Sequence, residues 1–337
     1  MNPDPATVNQ FEFDLLNRFQ RDFPLQPRPF TALAAALDRS EAEVLASLRR
    51  LRAAGAISRV GAVFRPNAIG ASALAALAVP AARLEDVARH VSSFPEVNHN
   101  YEREHHFNLW FVAAAPSAAR LRAVLADIEA SCACGALLVL PLVEDYHIDL
   151  GFDLSAAAGD YSAPAQAADA RAPRDQVAPA LNASEQRVVA ALQDGLPLVE
   201  RPFACLGVAE EEAIAIIAHW LESGVVKRFG VVVRHHELGY TANAMAVWDV
   251  PDDAVGAIGR RIAASGRVTL CYRRPRQLPD WRHNLFCMMH GKDRAQVQAH
   301  IAVLATEYGL AAYPSEILFS RRRFKQRGAH YASVRHG

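Results

Sequence analysis

The chain has 337 residues, of which 51% are hydrophobic, and its 36 Lys plus Arg balance 36 Asp plus Glu. That is enough for two or three domains with filled cores, and a net charge of zero supplies no global pull toward nucleic acid or anionic membrane. Cys132, Cys134, Cys205, Cys271 and Cys287 form no CxxC pair, the start MNPDPATVNQFEFDLL is not a secretory signal, and no apolar run spans a bilayer, so a disulfide framework, a zinc site and a membrane segment are not expected, and a cytoplasmic location is.

The first elements are helical. FEFDLLNRFQRDF and FTALAAALDRS lead to a helix opened by Ser40 with Glu43 three residues on, a capping box. Leu45, Leu48 and Leu51 form its apolar stripe and Gly55 ends it. AISRVGAVFR follows as a strand pair, which predicts a winged helix-turn-helix over 9–60. Next come a strand (ASALAALAVP), a helix (LEDVARHVSSF), two strands ending in FNLWFVAAA, a helix (SAARLRAVLADIEA) and a last strand. That order, βαββαβ, predicts a ferredoxin-like sandwich over 61–153. Residues 154–182, rich in Ala, Pro and Asp, read as a linker. The same plan then returns, with a winged helix-turn-helix over 183–229 and a second sandwich over 230–331.

Ordered identities support a true repeat. SRVGAVFRPNAIG (58–70) aligns with KRFGVVVRHHELG (227–239), which matches Arg59 to Arg228, Gly61 to Gly230, Arg65 to Arg234 and Gly70 to Gly239. Further along, Tyr101 matches Tyr272, and Asn108-Leu109-Trp110 matches Asn284-Leu285-Phe286. The predicted fold class is α+β, a tandem repeat of the winged helix-turn-helix and ferredoxin-like sandwich that resembles the Lrp/AsnC regulators. DNA readers carry basic residues near the start of the reading helix. Here the second such helix opens Ala209-Glu210-Glu211-Glu212 and the first carries Glu41 and Glu43, with Arg49, Arg50 and Arg52 behind. Nucleic acid is therefore not expected as a partner, since fold alone does not confer function.

Polar residues gather instead in the sandwiches. One cluster holds His99, Asn100, Tyr101, Arg103, His105 and His106, and another Tyr272, Arg273, Arg274, Arg276, Trp281, Arg282 and His283. Arg234-His235-His236 leaves the second wing, and period-two alternation puts Asn284, Phe286, Met288 and His290 on one face. His147 and the run Arg321, Arg322, Arg323 lie near the ends of the two halves. His99, His219, His300 and His330 read as ordinary surface or core histidines. Arg pairs with carboxylates through a planar fork, aromatics cover an apolar ring and His passes protons near neutral pH. Together they suit a large, flat, polyanionic ligand.

RPNAIG, YEREHHFNLWF and YHIDLGFDL in the first half, with RHHELGYTANAM, YRRPRQLPDWRHNLFCMMHG and FSRRRFKQRGA in the second, resemble the siroheme decarboxylases, Lrp-like proteins of heme d1 biosynthesis. The first half looks like the NirD type and the second like the NirL type. The resemblance implies conversion of siroheme to 12,18-didecarboxysiroheme by loss of two acetate carboxylates as carbon dioxide. It implies no cofactor beyond the iron of the substrate, and no protein-bound metal.

On that resemblance His290, His236 and His235 would deliver protons and orient the reacting carboxylate, with ligation of the substrate iron by one histidine as the alternative role. Arg234, Tyr272, Arg273, Arg274, Trp281 and Asn284 would hold the substrate, with Tyr101, Arg103, His105, His106, His147 and Arg322 as further contacts. Ala114 stands where the second half has His290, and Pro66-Asn67 replace His235-His236. One competent site is therefore expected in the second sandwich, with a degenerate counterpart in the first. The halves are expected to pair with each other, and a homodimer stays open. A heme- or siroheme-responsive regulator and a tetrapyrrole carrier are the other two readings.

Overall fold

The computed structural model describes residues 8–148, 181–234, 242–329 and 331. Residues 154–180 of the expected linker, and His235 and His236, lie outside them.

Local chemistry sets the helices. Helix α1 (Gln10–Arg18) starts at a capping box of Asn9 with Glu12, and α3 (Glu41–Ala53) at the expected box of Ser40 with Glu43. Between them α2 (Pro29–Leu37) begins on a proline, whose missing N–H costs nothing in a first turn. In the second half α6 (Ala183–Leu192) has the Asn182–Glu185 box, a short turn covers Pro202–Cys205, and α7 (Glu210–Glu222) follows. Leu15, Phe30 and Leu48 share one core with Val188, Phe203 and Trp220, so the two helical units are packed as one body.

The wings differ from the expected hairpins. Each is a single strand, β1 (Ile57–Phe64) or β7 (Val226–Val233), and its antiparallel partner is the wing of the other half, with Gly61 opposite Gly230. A Cβ on Gly230 would lie 2.4 Å from the Phe19 carbonyl oxygen. Its absence lets the Phe19–Gln20 backbone lie against β7, where Val231 N–H donates to Phe19 O at 2.7 Å.

The sandwich halves are β2 (Ala71–Leu77), α4 (Leu84–Ser93), β3 (Val97–Arg103), β4 (Leu109–Ala115) and α5 (Ala118–Cys132), then β8 (Ala242–Trp248), α8 (Val255–Ala264), β9 (Leu270–Arg273), β10 (Leu285–Gly291) and α9 (Arg294–Glu307). The last strand of each half crosses to the other. β5 (Leu138–Pro141) pairs with β2, and only two residues later β6 (Glu144–Ile148) pairs with β9. β11 (Ser315–Gln326) pairs with β8 through its first residues and with β3 through the rest.

The resulting order, β5-β2-β4-β3-β11-β8-β10-β9-β6, ends on two strands adjacent in sequence. The sheet must therefore fold over on itself. Its two inner faces meet at Leu74, Trp110, Met245, Tyr272, Phe286 and Met288, while the helices cover the outer faces. Each such large apolar side chain removed from water contributes roughly 1.5–3 kcal/mol, so this inner layer binds the halves to each other.

Candidate functional site

At the end facing the wings the inner layer carries two polar clusters related by the repeat, called the first and the second mouth. The first is built from both halves. Alternation along β3 turns His99, Tyr101 and Arg103 inward, and along β10 it does the same for Phe286, Met288 and His290. β11 adds Arg323, opposite Tyr101, and β7 runs out at Arg234. Three guanidiniums, Arg103, Arg323 and Arg234, act on the Tyr101 hydroxyl, but burial outweighs them and its pKa is raised. The phenol therefore keeps its proton at neutral pH.

Arg103 is buried. It donates to Leu318 O at 2.9 Å, lies 3.9 Å from the Met288 sulfur, and has its guanidinium carbon 5.8 Å from the Tyr101 ring centre. Burial lowers its pKa to about 10, so it remains a cation.

His290 is tied by Nδ1 to Thr269 Oγ1 at 3.1 Å, and the Thr269 hydroxyl donates to Met288 O at 2.8 Å. The hydroxyl has one hydrogen, so it must accept from Nδ1–H, which makes Nε2 the basic nitrogen of the neutral ring. Burial, and after it Arg103, pushes the His290 pKa down to about 4. His99 stacks on Tyr101, with ring centres 6.4 Å apart, and its pKa too is pushed to about 4, by burial and then by Arg59 of β1.

Both imidazoles are thus neutral at pH 7, and this has a consequence for stability. The unfolded chain takes up these two protons near the ordinary value of 6.5, the folded one only near 4. Stability is therefore expected to fall as pH drops from about 6.5 to 4, with a dependence steeper by up to two protons. Denaturant titrations at pH 7 and 5 check this. The difference should shrink in a His99→Gln, His290→Gln double variant, and no shrinkage would refute it.

The second mouth holds Tyr272 and Arg274, with the Arg274 guanidinium 4.7 Å from the Tyr272 ring centre and donating to Leu140 O. Leu270 and Ala114 take the places of His99 and His290. On β6, Asp145 pairs with Lys227 at 2.8 Å and with Arg65 at 3.6 Å. His147 lies beside them, its pKa lowered by burial and by Lys227.

The remaining expected residues are committed elsewhere. His105 Nε2 pairs with Glu316 at 2.7 Å, its Nδ1 accepts from Phe107 N–H, and exposed His106 packs edge-on to Phe107. Trp281 is buried among Phe107, Trp110 and Phe286, within the inner core. Arg273 pairs with Asp252, Arg276 with Asp249 and Asp252, and Arg282 with Asp249, which makes a strut on the outer rim. Arg322 turns to the helix side and pairs with Glu102 and Glu85.

Asn284 is a backbone pin, with Oδ1 accepting from Val250 N–H and Nδ2 donating to Val250 O, both at 2.9 Å. Asn108 does the same at Val79. Asn284→Ala should cost about 1–3 kcal/mol, because the buried Val250 N–H loses its partner and Val250 O keeps only Arg276. An unchanged unfolding midpoint would contradict the pin.

The structure therefore joins Tyr101, Arg103, Arg234 and His290 in one cluster and places Tyr272, Arg274 and His147 at the other mouth. Thr269 joins the first cluster without having been singled out, together with His99, which read as an ordinary histidine, and Arg323, which stood in the arginine run but not among the expected contacts. For His99 a signal was present, since it shares a face with Tyr101 and Arg103 by simple alternation.

Comparison with known proteins bears on what such a cluster does. The helical units match the model of the siroheme decarboxylase NirDL-like HTH domain over 12–57 and 185–226, and the sandwiches match the AsnC-like ligand-binding domain over 68–147 and 237–325. The chain is 46% identical over 333 residues to the siroheme decarboxylase NirDL subunit of Paracoccus denitrificans, covering 97% of this chain and 99% of that one. It is 35% identical to a siroheme decarboxylase of Hydrogenobacter thermophilus, over 94% and 93% of the two chains. Its fold is similar to the crystal structure of the siroheme decarboxylase NirDL in co-complex with an iron-uroporphyrin III analogue. There the TM-score is 0.68 at 32% identity, over 96% of this chain and 95% of that one.

Proposed function

The chain belongs to the siroheme decarboxylase family in its fused NirDL form, and on that premise we propose that its first mouth takes siroheme and removes two acetate carboxylates, at C12 and C18, as carbon dioxide. The observation that carries this is the meeting of three guanidiniums with two histidines and a tyrosine across the two halves. Arg103, Arg323 and Arg234 match a polycarboxylate, and the stacked His99 and Tyr101 offer a flat surface to the macrocycle.

The reaction is non-oxidative. The bond from the side-chain methylene to the carboxylate breaks, its electron pair stays on the methylene carbon, and a proton there completes a methyl group. Arg103 sits in a poorly solvated corner, where its attraction for a carboxylate is strengthened. A reacting carboxylate brought to His290 raises the affinity of Nε2 for a proton. The imidazole thus takes up a proton as substrate arrives and gives it to the carbon as carbon dioxide departs. The protein would work in the cytoplasm, and among the described residues no helix is long and apolar enough to cross a membrane.

The regulator reading is disfavoured by the helix-turn-helix units themselves. Arg28 of the motif Arg28-Pro29-Phe30 pairs with Glu41 at the start of α3, and Arg201 of Arg201-Pro202-Phe203 pairs with Glu210 at the start of α7. Arg50 is tied to buried Glu12, and Arg49 donates to Leu198 O. The start of each helix that would read DNA carries a carboxylate, and each carboxylate is held by an arginine of its own unit.

Anaerobic incubation of the protein with siroheme, followed by mass analysis of the tetrapyrrole, tests the proposal. Loss of two carbon dioxide masses is expected. Tight binding with no change in mass would replace this reading with that of a carrier or sensor.

A further inference from the structure

The two mouths can be compared position by position, because β6 and β11 carry the same irregularity at the same place. Asp145 lies opposite Tyr272 as Arg323 lies opposite Tyr101, and Ile148 lies opposite Leu270 as Gln326 lies opposite His99. Both mouths keep a tyrosine, an arginine two residues on, and the arginine that ends a wing motif, Arg65 or Arg234. The second mouth lacks counterparts of His99 and His290, which are Leu270 and Ala114, and has a carboxylate where the first has a guanidinium.

That carboxylate is well held. Lys227 Nζ lies 3.1 Å from Asp145 Oδ1 and 2.8 Å from Oδ2, and Arg65 is 3.6 Å away. Only 13% of the Asp145 side chain is exposed. Lys227, Asp145 and Arg21 all act on the adjacent His147. A carboxylate gripped by a lysine and an arginine, beside a packed tyrosine–arginine pair, has the surroundings that a bound substrate carboxylate would need.

We propose that Asp145 occupies the second mouth in place of a ligand carboxylate, which limits the chain to one tetrapyrrole. The proposal rests on the reading of the first mouth as the tetrapyrrole site. Neutralising Asp145 shifts the charge of this corner toward positive while its backbone frame stays in place, so a carboxylate of a second tetrapyrrole can enter.

The test is titration of the full chain with iron-uroporphyrin III, followed by Soret absorbance and calorimetry. The wild-type chain should take up one equivalent. Asp145→Asn should take up a second, weaker one, and adding Lys227→Met to that variant should remove it again. Asp145→Ser, which opens more volume, is titrated alongside in case the amide itself blocks entry. Two equivalents on the wild-type chain, or a single one on both the Asn and Ser variants, overturns the proposal. Binding to none of the chains would instead bring down the reading of the first mouth, and the proposal with it.

Discussion

Replacing His290 by alanine is expected to slow siroheme decarboxylation by about a hundred- to ten-thousand-fold, the range for loss of a positioned general acid, while the tetrapyrrole still binds. The expectation follows from the tautomer. The Thr269 hydroxyl gives its hydrogen to Met288 O and accepts from Nδ1 of His290, so Nε2 is the ring's basic nitrogen and the one the proposed mechanism uses. With its pKa near 4 in the free protein, the ring is neutral until an anion raises it, so on the proposed reading substrate would be the trigger for its own proton donor. On the proposed reading Arg103, Arg323 and Arg234 carry most of the binding, so the variant should keep its affinity within a few-fold. Single-turnover rates with siroheme, set beside equilibrium titration and near-UV circular dichroism, separate chemistry from folding. Thr269→Val should lose less and shift the pH profile, because Thr269 acts through the ring that it orients at Nδ1. A wild-type rate in His290→Ala would remove His290 from the mechanism.

What the sequence conveyed well was local. The capping boxes at Ser40 and Asn182, the apolar stripe of α3 and the spacing of the repeated motifs are properties of neighbouring residues. Strand partnership is not. Nothing near Arg59 or Gly61 says that the strand facing it begins at Val226, and nothing in Leu138–Ile148 says that the chain passes from one end of the sheet to the other at Leu142. The expectation of a site inside the second sandwich failed to anticipate this crossing. His290 meets Arg103 and Tyr101 of the first half because β11 joins β8 to β3. The choice of Arg322 over Arg323 is a finer case of the same limit. Counting by twos from Leu318 puts residue 322 inward, but the pairing slips between Ser320 and Arg322, and the guanidinium opposite Tyr101 belongs to Arg323. A single irregularity inverts which side chains reach the site.

The pairing of Arg103 with Arg274 gives the sharpest separation of the two mouths. Both sit two residues after the repeat tyrosine, both have pKa values lowered by burial, and each donates to a carbonyl of a strand that crosses between halves, Leu318 or Leu140. Methionine keeps much of the apolar stem and removes the charge and the donors. Each substitution should therefore cost a similar stability, about 1–3 kcal/mol for a carbonyl left without its donor. Their effects on binding should part company. Removing a desolvated cation that faces a ligand carboxylate costs roughly 2–5 kcal/mol, so Arg103→Met should weaken iron-uroporphyrin III binding by about thirty-fold to several thousand-fold. Arg274→Met, at the mouth where Asp145 already meets Lys227 and Arg65, should change affinity little. Parallel titrations of the two variants, matched by denaturant unfolding, decide the matter. If Arg274→Met loses as much affinity as Arg103→Met, or more, the tetrapyrrole site lies at the second mouth and the histidines of the first have another task.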